Sequence, residues 1–316
     1  MTDEGVTDMG EDPDLFVLGS FVAACSATVA RLPRPGETLE AGSFRLDPGG
    51  KGLNLAVGAR RLGARVDGLL AVGRDLFGDM AEAALRRAGL PAAMLHRTDA
   101  PTGAGIGFVD AEGENCIAVF PGANAELGPA AVARAAGRLV RAGFVLAQFE
   151  IGTAPVAEAF RRARAAGVAT LLNPSPFRPV PAALLADTTV LVLNATEAAA
   201  LRDDLGLPGE SWEALIAALL ARGPRIVVVT LGAGGALARE ADGPLLAQPA
   251  IPVTAVDTIG AGDAFTAGLA VALAAGRPLG EALREAAACG ACVVARLGVF
   301  DALPDRAARD ALLAGA

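Results

Sequence analysis

Two glycine-rich segments carry the residue types that phosphoryl chemistry uses. In Asp257-Thr258-Ile259-Gly260-Ala261-Gly262-Asp263-Ala264-Phe265, Gly260 and Gly262 permit a tight turn, and Asp263 then opens a long apolar stretch with helical spacing. Such a helix start presents unpaired N–H groups and the positive end of the helix dipole, which suits a phosphate or a developing phosphoryl charge. A carboxylate in that place can accept a proton from an attacking hydroxyl. The same residues also fit a purely structural description, an N-cap beside a glycine turn. In Asp47-Pro48-Gly49-Gly50-Lys51-Gly52-Leu53-Asn54, glycines again lead into a helix, and they enclose Lys51, the only lysine among 27 basic residues. The Walker phosphate loop is not matched, because no Ser or Thr follows the Lys and the spacing differs. Asparagine is also scarce, limited to Asn54, Asn115, Asn124, Asn173 and Asn194.

Scarcity excludes several chemistries. His96 is the one histidine, and Met94-Leu95-His96-Arg97-Thr98 reads as a strand or its exit. A zinc peptidase or a Ser-His-Asp hydrolase would have to be built on that single ring, so both readings fall away. The first thirteen residues are acidic and lack an apolar core, so no secretory signal is expected there and a cytoplasmic location follows. Cys25, Cys116, Cys289 and Cys292 are then expected to be free thiols. Cys289 and Cys292 fall near one face of an apolar helix and read as small packing residues. With 27 basic against 35 acidic residues, a net charge of −8 and no tyrosine, the chain lacks the basic face and the stacking platform of a nucleic-acid binder. No apolar run reaches the roughly 20 residues of a membrane span.

The elements that must position these residues follow a β/α rhythm. Phe16 to Phe21 is a short apolar strand. Segments near Ala27 to Leu32 and Leu39 to Leu46, separated by Pro33, Pro35 and Gly36, read as strands of a small flap, as do Gly105 to Val109 and Cys116 to Phe120. Helices are expected at Leu53 to Leu62, Phe77 to Ala88, Pro129 to Arg141, Ala154 to Ala166, from Ala195, at Trp212 to Ala221, Asp263 to Ala275 and Leu279 to Arg296. Strands are expected at Val66 to Val72, Phe144 to Phe149, Val168 to Leu172, Thr189 to Leu193 and Ile226 to Thr230. Short, continuously apolar strands alternating with helices indicate a buried parallel sheet. The expected fold class is α/β: a doubly wound, mostly parallel central sheet flanked by helices, with a small β flap. Residues 1–13 would be a mobile tail and 14–316 one domain, with lid segments at about 22–48 and 101–122.

With these residues in view, the chain resembles the ribokinase-like family of sugar and nucleoside kinases, the PfkB carbohydrate kinases, and ribokinase most in overall pattern. Gly49 to Asn54 resembles the family's N-terminal signature and Asp257 to Asp263 its C-terminal signature. Asn194-Ala195-Thr196-Glu197 matches its N-x-x-E element, and Thr230-Leu231-Gly232-Ala233-Gly234-Gly235 its nucleotide-side turn. Pro121-Gly122-Ala123-Asn124 and Asn173-Pro174-Ser175-Pro176 also resemble ribokinase segments. The likeness spans about Phe16 to Pro304.

The resemblance implies an ATP-dependent phosphotransferase acting on a hydroxymethyl group of a sugar or sugar-like alcohol. Asp263 would be the general base, with the amides of Gly260, Ala261 and Gly262 as the anion hole. Gly49, Gly50, Lys51, Asn54 and Glu150 would hold the acceptor. Asn194, Glu197, Thr230, Gly232 and Gly235 would border ATP, with Asn194 and Glu197 organising Mg²⁺ largely through water. A monovalent cation, K⁺, would sit on Asp257 and the carbonyls of Ile259, Arg296 and Gly298. A homodimer through the lid is the expected assembly.

One departure bears on the acceptor. Where ribokinases typically read G-S-x-N-x-D, with Asn and Asp holding sugar hydroxyls, this chain reads Gly19-Ser20-Phe21-Val22-Ala23-Ala24. Losing both polar groups should change the preferred substrate. A nucleoside kinase, in which Phe21, Val22 and Ala24 face a base, is the alternative within the class. A catalytically silent sugar or nucleotide sensor is the alternative outside it. A nicotinamide-dependent dehydrogenase would need G-x-G-x-x-G after the first strand, which is absent.

Overall fold

The structure, a computed structural model, describes residues 14–110, 112, 115–207 and 211–315. The expected N-terminal tail lies outside them. In chain order the elements are β1 (Leu15–Ser20), β2 (Val22–Thr28), β3 (Ser43–Gly49), α1 (Lys51–Arg61), β4 (Val66–Val72), α2 (Leu76–Arg87), β5 (Leu95–Arg97), β6 (Ala104–Val109) and β7 (Asn115–Phe120). They continue as α3 (Ala123–Glu126), α4 (Pro129–Leu139), β8 (Phe144–Gln148), α5 (Thr153–Ala165), β9 (Ala169–Asn173), α6 (Ala182–Ala186), β10 (Val190–Asn194), α7 (Ala195–Asp204), α8 (Trp212–Leu220) and β11 (Ile226–Thr230). The chain ends through β12 (Ala236–Glu240), β13 (Leu245–Gln248), α9 (Ala261–Ala274), α10 (Leu279–Val294) and α11 (Arg306–Ala314).

Among the described residues, nine strands form the main sheet in the order β13-β12-β11-β10-β9-β8-β1-β4-β5. Its pairs are parallel from β5 to β11, and β12 and β13 close one edge antiparallel. Every residue of β1 is buried because both sheet faces are covered. Leu15 and Val17 point into a core shared with α1, α2, α9 and α10. Phe16 and Leu18 point into a second core with α4, α5, α7 and α8. α9 and α10 approach closely where Gly268 faces the Cys289 thiol. All four cysteines are free, and burial pushes the Cys289 thiol up to about 12, so it packs rather than reacts. No helix among the described residues is long and apolar enough to cross a membrane.

The flap is a separate four-stranded sheet, β3-β2-β6-β7. Its first two strands are not where the prolines and glycine suggested. Strand β2 starts at Val22, directly after β1, and β3 runs to Gly49. The reason is non-local pairing: β2 lies parallel to β6, from Ala23↔Ala104 to Thr28↔Val109, and that ladder fixes its bounds. The β12–β13 hairpin was also not expected, since its half-buried residues carry only a weak alternating pattern.

Candidate active site

The chain leaves β1 for β4 on one side and returns as β8 on the other, so a crevice opens at the carboxyl ends of these strands. Ser20, at the end of β1, donates its hydroxyl to Glu150 Oε2 at 2.5 Å and accepts from Gln148 Nε2 at 2.9 Å. Gly52 N also donates to Ser20 Oγ, at 3.2 Å. Gly50, at φ 99°, is the N-cap of α1 and has no side chain to offer the helix. Glu150, from beyond β8, supplies that acceptor instead: Lys51 N donates to Glu150 Oε2 at 3.0 Å. Ser20 and Gln148 went unassigned in the sequence. They join Glu150 across 130 and 2 positions, and no local spacing reveals the longer link.

Helix α9 begins at Ala261, not at Asp263, because Gly260 takes the left-handed N-cap conformation at φ 80° and lies against the Val299 side chain. Asp263 is therefore a first-turn residue and not a cap, which removes the structural description of it as one. It is only 5% exposed. Its Oδ2 accepts from Asn54 Nδ2 at 2.8 Å, and its Oδ1 lies 3.4 Å from Lys51 Nζ. Burial opposes the Lys51 charge, but the carboxylates of Asp263, Glu150 and Glu197 together outweigh it, so its pKa is raised and it stays a cation. Asn54 is 6% exposed, and its Oδ1 is the one buried side-chain atom without a hydrogen-bond partner among the described residues. An orphaned acceptor of that kind, beside a buried carboxylate, calls for a donor from a bound molecule. Of the three expected anion-hole amides, that of Ala261 donates to Thr258 O at 3.3 Å, while those of Gly260 and Gly262 have no recorded acceptor among the described residues.

On the far side of Asp263 the cleft is a cavity of about 60 Å³ lined by residues that include Lys51, Asn173, Ser175, Asn194, Glu197, Thr230, Gly262 and Thr266. Asn194 and Glu197 form a capping box at the start of α7: Glu197 N donates to Asn194 Oδ1 at 2.8 Å, and Asn194 N to Glu197 Oε2 at 2.9 Å. Gly232 lies in the turn after β11. Gly235 is pressed against the Gln248 carbonyl, so the hairpin itself already requires a glycine there. Neither is among the residues lining this cavity. Asn173, Ser175 and Thr266 line it although the sequence assigned them no role. A wider depression of about 370 Å³, bordered by Asp14, Arg65, Arg141 and Phe144, lies at the opposite, amino ends of β1 and β8.

The expected cation segment forms a tie of its own. Asp257 Oδ1 accepts from Ile259 N at 2.9 Å and its Oδ2 from Gly298 N at 3.2 Å, so one carboxylate draws the loop before α9 to the loop after α10. Arg61 secures the second loop by donating to the carbonyls of Phe300 and Leu303 at 2.7 and 2.8 Å. Arg87 stacks 4.2 Å from the Phe300 ring centroid. Arg296 is exposed at the end of α10. Among the described residues no group of three His, Cys, Asp or Glu side chains could hold a metal directly. His96 lies on edge strand β5, away from these groups.

The family described as pfkB family carbohydrate kinase matches residues 12–306. The ribokinase of Bacillus subtilis is 33% identical over 93% of this chain and 97% of its own length. The deoxyribokinase of Salmonella typhi is 34% identical over 80% of this chain and 83% of its own. The solved structure of Arabidopsis thaliana ribokinase complexed with ribose and ATP superposes with a TM-score of 0.88 at 31% identity, covering 96% of this chain and 99% of that one.

Proposed function

The chain belongs to the pfkB family of carbohydrate kinases, and from that premise we propose that it transfers the terminal phosphoryl group of ATP to a hydroxymethyl group of a sugar or sugar-like alcohol. The observation that carries the reading is the buried Asp263 carboxylate, held between Asn54 Nδ2 and Lys51 Nζ at a glycine-rich helix start. Phosphoryl transfer to an alcohol needs positioning, charge neutralisation and one proton acceptor. Asp263 takes the hydroxyl proton. The amides of Gly260 and Gly262, joined by Ala261 if its weak bond to Thr258 opens, hold the charge that develops on the transferring group. Lys51 adds a fixed positive charge beside the base. Asn54, with Gly49, Gly50 and Glu150, borders the acceptor, and its orphaned Oδ1 accepts a hydrogen bond from one of the acceptor's other hydroxyls.

Asn194, Glu197, Thr230, Gly232 and Gly235 border the nucleotide in this reading. The capping box uses Glu197 Oε2, and among the described residues no hydrogen bond engages Oε1, so Glu197 would reach Mg²⁺ through water. Mg²⁺ there would neutralise charge on the phosphates. Asp257 and the carbonyls of Ile259, Arg296 and Gly298 would hold K⁺. The Asp257 tie supports this, since it brings the two loops together. A base facing Phe21 is not favoured: Phe21 is fully buried, and its backbone is tied on both sides to Asn124. The direct test is ADP release over a panel of sugars and nucleosides. Turnover of a sugar supports the reading, and ATP binding without turnover of any compound would leave the silent sensor.

The flap supports a homodimer. Register aligns Leu46, Cys25 and Ile106 in one row across the sheet, and Phe44, Ala27 and Phe108 in the next. On this face Phe44 is 66%, Ile106 53% and Phe120 53% exposed, a patch that small sheets rarely leave in water. Two such faces would cover each other. Light scattering at micromolar concentration should give twice the 31.6 kDa chain mass, and a monomer would remove the idea.

A further inference from the structure

We propose that Asp47 is a specificity-determining residue for the acceptor, supplying from β3 the carboxylate that β2 lacks at position 24. The proposal rests on the kinase reading above. Strands β2 and β3 pair antiparallel with Val22 opposite Gly49, Ala24 opposite Asp47 and Ser26 opposite Arg45. Opposed residues share a face, so Val22, Ala24, Asp47 and Arg45 stand on one side of the flap. That side is turned toward the catalytic loops. A Cβ built on Gly298 would lie 2.9 Å from Arg45 Nη2, and Gly298 is the residue whose amide bonds Asp257. A Cβ built on Gly49 would lie 3.5 Å from the Ala24 Cβ, which puts the methyl group beside the turn that leads into Lys51. Phe44, Leu46 and Ile106 stand on the opposite face.

Asp47 is half-buried there, in an ion pair with Arg45 at 3.0 Å through Oδ2. No hydrogen bond is recorded for its Oδ1 among the described residues. Directly opposed residues on paired strands lie about 5 Å apart, within the reach of an aspartate side chain leaning over an alanine. The methyl of Ala24 leaves room for that lean. Asp47 thus presents an acceptor oxygen to a substrate hydroxyl one strand away from position 24. Arg45, ion-paired to Oδ2, holds the carboxylate in orientation. The substrate class is a neutral polyhydroxylated acceptor whose hydroxyl is displaced toward β3. It is not an acid, because Asp47 already occupies the Arg45 guanidinium and would repel a second carboxylate.

The test is steady-state kinetics of Asp47→Ala and of the double variant Asp47→Ala/Ala24→Asp, with the best acceptor from the panel, ribose, and a sugar acid. Asp47→Ala should raise the acceptor KM by about tenfold or more while the ATP KM stays within twofold. The double variant, which moves the carboxylate back to β2, should raise the ratio of ribose to best-acceptor kcat/KM by about tenfold. A purely structural role in the flap would move both KM values together and would leave that ratio unchanged. Acceptor KM within twofold of the parent enzyme in Asp47→Ala overturns the proposal, and so does a sugar acid proving the best acceptor. If the parent enzyme turns over no compound, the kinase reading itself fails and this proposal falls with it. If it turns over a sugar but Asp47→Ala is silent, only the role of Asp47 is lost.

Discussion

Asp263→Asn is expected to lower kcat at least about 10²-fold, the loss that accompanies removal of a general base, while ATP binding stays within about tenfold. The substitution is nearly isosteric in a buried place. The amide oxygen can still accept from Asn54 Nδ2, and α9 does not depend on this side chain for its cap. Lys51 loses its nearest carboxylate but keeps Glu150 and Glu197 in its field. The fold and the nucleotide side of the cleft should therefore survive, and what disappears is the ability to take a proton. Single-turnover rates and ATP titration on the same preparation separate these effects. A variant retaining more than about a tenth of kcat would show that another group is the base. A variant losing ATP affinity as well would point to a structural role for the carboxylate.

Ribose is expected to be at least tenfold poorer in kcat/KM than the best compound of the panel. Val22 is 9% exposed and stands on the catalytic side of the flap, so a hydroxyl aimed at it meets no partner. A desolvated hydroxyl without a partner costs about 1–3 kcal/mol, a factor of about 5 to 150 in an equilibrium constant. A second hydroxyl, aimed at Ala24, finds its nearest carboxylate one strand away at Asp47. A deoxy-sugar or another hydroxymethyl compound that is less polar on the Val22 side avoids the first cost. Measuring kcat/KM for ribose beside that compound decides the matter, and ribose emerging as the best acceptor would refute the argument from Val22 and Ala24.

Much of the architecture is legible locally. Val66 to Val72 and Ile226 to Thr230 are strands over the same residues that the sequence predicts, because a parallel sheet covered on both faces favours largely apolar runs; Asp67, paired with Arg138, is the charged exception in the first. The start of α7 is legible as well, since Asn194 and Glu197 at N-cap and N3 form a capping box within four residues. The first flap strand starts at Val22 rather than Ala27 for the opposite reason. Its bounds come from β2 pairing with β6, about eighty residues away, and the prolines and glycine lie in the connection rather than at the strand ends.

The sequence by itself determined which residues are chemically exceptional: one lysine, five asparagines and two glycine-rich helix starts, all set by residue type and short spacing. Only the tertiary structure decided what they face. Lys51 and Asn54 meet Asp263 across more than two hundred positions, because α1 and α9 pack on the same side of the sheet. Glu150 turns out to cap α1 through Lys51 N, a task created by the side-chain-free Gly50 and filled from another strand. Asp47 reads in sequence as a turn residue before Pro48-Gly49-Gly50, and becomes the neighbour of Ala24 only when the flap strands pair. Local spacing encodes helix starts and strand faces, whereas the partners of a buried charge depend on which elements pack together, and that is a property of the whole chain.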